Sequence, residues 1–185
     1  MKQWRRWVLV ALVVVGGVGL TRETSANEKW GPFRGQVVDV ETGQPIPGAV
    51  ALAVWWKLVP NLVAGNREFY DAREAVTGAD GTFEIPRLSV QLWPLGVQPA
   101  GISLFAPGYR WEASVVTPSD SQRFVAPTTV KMQRLKTDQE RRWAILHLYH
   151  APGGVPHEKM PNLLRALNKQ LSGSETSPYS LGGTK

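Results

Sequence analysis

The chain contains no cysteine, which excludes disulfide bonds, thiolate metal sites and cysteine nucleophiles. An exported form of this protein must therefore be held together by its apolar core. Histidine is scarce as well: the three present are His147, His150 and His157. There is no Gly-x-Ser-x-Gly elbow, and the serines gather in the amino-terminal segment, the loops and the tail, so no Ser-His-Asp arrangement is marked. A run of basic residues is also missing. The formal charge is +6, but 4 of the 21 basic residues and 1 of the 15 acidic ones lie in the first 26 positions, leaving 17 basic against 14 acidic in the remainder. That surplus is too weak for a nucleic-acid surface. With 185 residues, one domain with appendages is expected.

Only one long apolar run exists, from Trp7 to Leu20. Basic Lys2, Arg5 and Arg6 precede it, and small residues ending in Ser25-Ala26 follow, which is the order of an export signal. Residues 1–26 are read as a signal peptide cleaved after Ala26. An uncleaved anchor is the rival reading, and contact with a membrane is expected only through it, but 14 residues fall short of the roughly 20 a spanning helix needs. Either reading places the rest outside the cytoplasm, periplasmic or secreted.

Beyond this segment the pattern is that of short strands. Val76-Thr-Gly-Ala-Asp-Gly-Thr-Phe-Glu-Ile-Pro86 centres on Asp80-Gly81, residues that tolerate a left-handed backbone, and is expected to form a hairpin. Residues 31–40 read as the first strand, stopped by the turn from Glu41 to Gly48. The next, Ala49 to Leu58, is apolar on both faces, with Val50, Leu52, Val54 and Trp56 on one and Ala49, Ala51, Ala53 and Trp55 on the other. A sheet face open to water would carry polar residues, so a helix, a loop or a partner is expected to cover the alanine face, with the carboxy-terminal helices the natural occupant and a partner protein the competing destination for them. Residues 59–73 and 87–100 read as long loops. Strands near residues 102–105, 111–115 and 128–135 follow, which favours an antiparallel sandwich of about seven strands.

Four turn signals recur in order: Gly35-Gln-Val-Val-Asp, Thr42-Gly-Gln-Pro-Ile-Pro-Gly-Ala-Val50, Val76-Thr-Gly-Ala-Asp-Gly-Thr-Phe-Glu-Ile85 and Ala106-Pro-Gly-Tyr109. Together they resemble the carboxypeptidase regulatory-like domain family, over about residues 32–135. The resemblance implies a mainly β, seven-stranded antiparallel Greek-key sandwich, similar to transthyretin and to the prealbumin-like domain of metallocarboxypeptidases, without catalytic residues or cofactor of its own. It implies a binding module rather than an enzyme. Hydroxyisourate hydrolases of related fold end in Tyr-Arg-Gly-Ser, whereas this chain has Tyr179-Ser-Leu-Gly182.

After the sandwich, assigned to residues 27–136, Thr137-Asp-Gln-Glu140 is a capping box and opens a helix to about Tyr149. Pro152-Gly-Gly154 breaks it, and a second helix starts at Met160-Pro161, with Leu163, Leu164, Leu167 and Leu171 at helical spacing. Residues 137–172 are thus read as a helical hairpin docked on the sandwich, and 173–185 as a disordered tail.

Candidate functional residues are few. Trp55, Trp93 and Trp111 are the candidate binding residues, a stacking platform for a sugar or peptide, of the kind related starch-binding sandwiches use. The competing reading puts Trp55 and Trp56 in the core and lets Trp93 pin its own loop. His147 and His150 share a helix face, and with His157 and Glu158 are the residues a metal-dependent hydrolase would use, but no ligand-spacing motif accompanies them, so no metal is assigned. Asp80-Gly81 lacks the acidic series of a calcium loop. The expected partner is an envelope protein or, alternatively, a polysaccharide, not nucleic acid.

Overall fold

The computed structural model describes residues 29–60, 66–90, 95–113, 124, 127–147 and 153–172. Residues 1–28, with the stretch read as an export signal, residues 173–185, Trp93 and His150 lie outside them. The chain is mainly β, with two sheets and a few helices. Six strands of four residues or more are β1 (Phe33–Asp39), β2 (Val50–Val59), β3 (Asn66–Val76), β4 (Thr82–Ile85), β5 (Gly101–Phe105) and β7 (Thr128–Met132); β6 (Glu112–Ala113) is a two-residue pairing on β5. The helices are α1 (Asp138–His147) and α2 (Pro161–Ser172), the latter preceded by a 3-10 turn at His157–Lys159.

One sheet has the order β4-β1-β7 and the other β3-β2-β5-β6. The first is mixed and departs from the antiparallel expectation, because β7 runs parallel to β1. Between the sheets, Phe33 and Val37 of β1, Phe83 and Ile85 of β4 and Met132 of β7 meet Ala49 just before β2, Ala51, Ala53 and Trp55 of β2 and Ile102 and Leu104 of β5. The alanines faced by the other sheet leave room for rings, and Phe33 and Trp55 stand 6.0 Å apart there.

Both faces of β2 are covered, but the helix takes the face opposite to the one expected. Val50, Leu52, Val54 and Phe105 pack with Val155, Met160, Leu163 and Ala166. The alanine face is already occupied by the other sheet. The larger valine and leucine side chains project far enough to meet a helix, whose amphipathic stripe offers the matching apolar surface. Among the described residues, the helical side of this second core comes from residues 155–167.

α2 is pinned at both ends. The Glu74 carboxylate accepts hydrogen bonds from the Asn162 and Leu163 amides, each 2.8 Å, and so caps a helix whose preceding residue, Met160, has no side-chain oxygen. Lys159 Nζ lies 2.7 Å from Asp71. At the far end the Gly108 amide donates to Gln170 Oε1 at 2.6 Å. Both acidic anchors stand on β3: Asp71 lies in the stretch 59–73 expected to be loop, and Glu74 just beyond it. Among the described residues β3 is an edge strand, paired with β2 alone, and its charges (Arg67, Glu68, Asp71, Arg73 and Glu74) obscure the alternation while guarding the edge against further pairing.

The Asp80-Gly81 turn forms, but not as a hairpin: β3 belongs to one sheet and β4 to the other, so it carries the chain between them. Asp80 Oδ1 accepts from the Thr82 amide at 3.0 Å and from the Thr82 hydroxyl at 2.8 Å. Gly81 sits at φ +72°, its carbonyl accepting from the Val37 amide at 2.8 Å. Turn chemistry dictates a local reversal, whereas the pairing partner of the next strand is a tertiary matter.

Candidate functional site

The three candidate tryptophans do not assemble into a platform. Trp55 is 0% exposed in the core between the sheets, with its indole N–H donated to the Lys29 carbonyl at 2.8 Å. Trp111 is half-buried on the opposite side of the second sheet, its ring 5.4 Å from that of Phe105. Strand alternation separates the two, and Trp93 lies outside the described residues. Of the histidines, His157 is exposed on the 3-10 turn. Among the described residues no group of three or more acidic or histidine side chains is placed to hold a metal ion, and no helix is long and apolar enough to cross a membrane.

A polar knot ties the two sheets at one end. Asp39, at the end of β1, is buried, and its Oδ1 accepts from the Glu41 and Thr42 amides at 2.8 and 3.1 Å, closing the first turn. Its Oδ2 accepts from the Tyr109 hydroxyl at 3.1 Å, and that hydroxyl accepts from Arg134 at 2.8 Å. The amides of Thr42 and Glu41 hold the Asp39 carboxyl below the ordinary carboxylate range, with help from Tyr109 and Arg134 and against the cost of burial. The groups act on turns and strands, so the knot is structural. Because the folded-state value is depressed, its stabilisation is complete above the unfolded value near pH 4 and disappears as pH falls through the folded one. Thermal unfolding followed below about pH 4 should show falling stability, and Asp39→Asn should flatten that limb. The limb should not vanish, since Asp80, Glu84 and Glu140 are shifted in the same direction.

A cleft of about 630 Å³ opens where α1 meets the connection after β5, lined by Arg110, Trp111, Leu135, Gln139, Glu140 and Trp143 among others. The capping box fixes α1 as the sequence implies: the Glu140 amide donates to Thr137 Oγ1 at 3.1 Å, and Glu140 Oε2 accepts from the amides of Lys136 and Thr137 at 2.7 and 3.1 Å. Those bonds keep the Glu140 carboxyl charged and low in pKa. The other wall is set by the Arg110 amide donating to the Gln133 carbonyl and the Leu135 amide to the Gly108 carbonyl, each 2.8 Å. Next to this wall, burial pushes the Glu112 carboxyl up, opposed in part by Arg110.

Trp143 is 56% exposed at this cleft. Its neighbours Glu140 and Arg141 are charged and exposed. The available signal is its spacing: Gln139 and Trp143 stand four apart and share a helix face, the face that lines the cleft. The Trp111 indole N–H is buried and without a hydrogen-bond partner among the described residues.

The chain matches no family model, no curated protein and no solved structure.

Proposed function

We propose that this protein is a non-catalytic, extracytoplasmic binding module of the cell envelope that holds a protein partner in the cleft beside Trp143. The observation that carries this reading is a tryptophan more than half exposed at the mouth of an open cleft that also presents Arg110. Tryptophan and arginine are the side chains that most often anchor interfaces, because each covers a large area with few rotamers and a polar handle. The carboxylates described above as hydrogen-bonded (Asp39, Glu74, Asp80 and Glu140) serve turns and helix caps, which accords with a structural rather than a catalytic use of them. Two stacked sheets and the recurring turn residues support the finer reading of a carboxypeptidase regulatory-like, seven-stranded Greek-key sandwich. The order of basic, apolar and small residues in positions 1–26 supports export. On that reading the intact mass of the exported protein corresponds to a chain beginning at Asn27.

Crosslinking and pulldown from the native envelope test the partner. Trp143→Ala should weaken capture by about thirtyfold, the effect of losing an interface anchor worth ~2 kcal/mol, with thermal unfolding used to confirm that the variant is folded at the temperature of the assay. Equal capture by both forms would remove the cleft from the interface. Gln139 and Thr137 beside the exposed ring also suit a sugar, whose hydroxyls pair with such groups. Retention on an immobilised polysaccharide, lost in Trp143→Ala, would favour that second reading.

A further inference from the structure

The most exposed large apolar side chain among the described residues is Leu95, 85% exposed, and Leu58 near it is 40% exposed. They belong to one surface: the Leu58 amide donates to the Gly96 carbonyl at 2.9 Å, and Lys57 bridges to Val97. Exposed Pro60 and half-buried Val59 continue this apolar end of β2. Around it stand exposed Lys57 and Arg67, with Glu68 as the acidic neighbour across from Lys57. Among the described residues this apolar tip carries Lys57 and Arg67 against the single acidic Glu68, a balance that matches a surface apolar beneath and anionic above.

A third cation stands at the same end: Lys29, its Nζ 3.4 Å from the Val97 carbonyl and its own carbonyl bonded to Trp55. The cleft, by contrast, lies toward the other end of β2, since Arg110 follows Phe105, which pairs with Val50.

We propose that this end of the sandwich seats on an anionic lipid bilayer, with Leu58 and Leu95 entering the boundary between headgroups and acyl chains and Lys57 and Arg67 meeting lipid phosphates. The cleft beside Trp143 then faces away from the membrane. The proposal takes the location of the protein from the extracytoplasmic reading, but its test does not depend on export.

Because the chain lacks cysteine, Pro60→Cys and Ala79→Cys each accept a single fluorescent label, at the seated end and at the opposite turn. The full chain is reconstituted with vesicles of equal parts phosphatidylcholine and phosphatidylglycerol that contain spin-labelled lipid. The label at position 60 should be quenched at a depth of about 5–10 Å into the interface, and the label at 79 should stay in water. Leu58→Ser with Leu95→Ser, and separately Lys57→Glu with Arg67→Glu, should each abolish quenching at 60 while thermal unfolding confirms the fold. Three results would overturn the proposal: no quenching at 60, equal quenching at both positions, or a label at 60 already shielded without vesicles, which would mark a protein contact.

Discussion

Gly81→Val is expected to lower the stability of the sandwich by about 2–6 kcal/mol. Two costs combine: a left-handed conformation that a β-branched residue resists, worth roughly 1–3 kcal/mol, and a steric overlap of similar size. The overlap is specific, because a Cβ at position 81 stands 2.5 Å from the Val37 carbonyl oxygen and 3.0 Å from the Pro45 side chain. That oxygen accepts the Ile46 amide at 2.9 Å, so yielding to the new side chain breaks a bond between β1 and the segment that follows the first turn. For a domain of this size the unfolding temperature should fall by about 8–24 °C. Gly43→Val is the matched comparison. Its φ is +68°, but nothing lies within 4 Å, so only the conformational cost of about 1–3 kcal/mol remains. Equal losses at both positions would show that the crowding against Val37 is absent.

Truncation after Leu135 is the second large effect. It removes α2 and uncovers Val50, Leu52, Val54 and Phe105, all almost fully buried. At about 1.5–3 kcal/mol for each side chain returned to water, the loss is about 6–12 kcal/mol, comparable with the whole stability of a domain. The shortened protein should unfold at a much lower temperature and bind a hydrophobic dye. A graded version keeps the chain intact: Leu163→Ala, at a position 1% exposed, should cost about 2–5 kcal/mol. An unfolding temperature unaltered by the truncation would mean that α2 serves a partner rather than its own sheet.

Much of the local structure is legible in the sequence because it depends on neighbours along the chain. The capping box from Thr137 to Glu140 forms with both reciprocal bonds, and Pro161 opens α2. The Asp80-Gly81 turn is where its backbone preferences require it. Apolar residues on both faces of β2 imply two coverings, and two are present. The candidate site is less legible. Trp143 and Arg110 come together only because the connection after β5 passes α1, and neither carries a motif.

What composition and spacing determine by themselves is therefore local: a core without disulfides, the turns, the helix starts and the two-sided burial of β2. Tertiary structure alone decides which surface covers which. It assigns the alanine face to the other sheet, sends β3 and β4 to different sheets, and makes a strand of the charged stretch before Val76, whose Glu74 then caps a helix 88 residues away. The physical reason is that hydrogen-bonding and turn preferences act over a few residues, whereas burial is non-directional and is satisfied by whichever element reaches an apolar face with complementary shape.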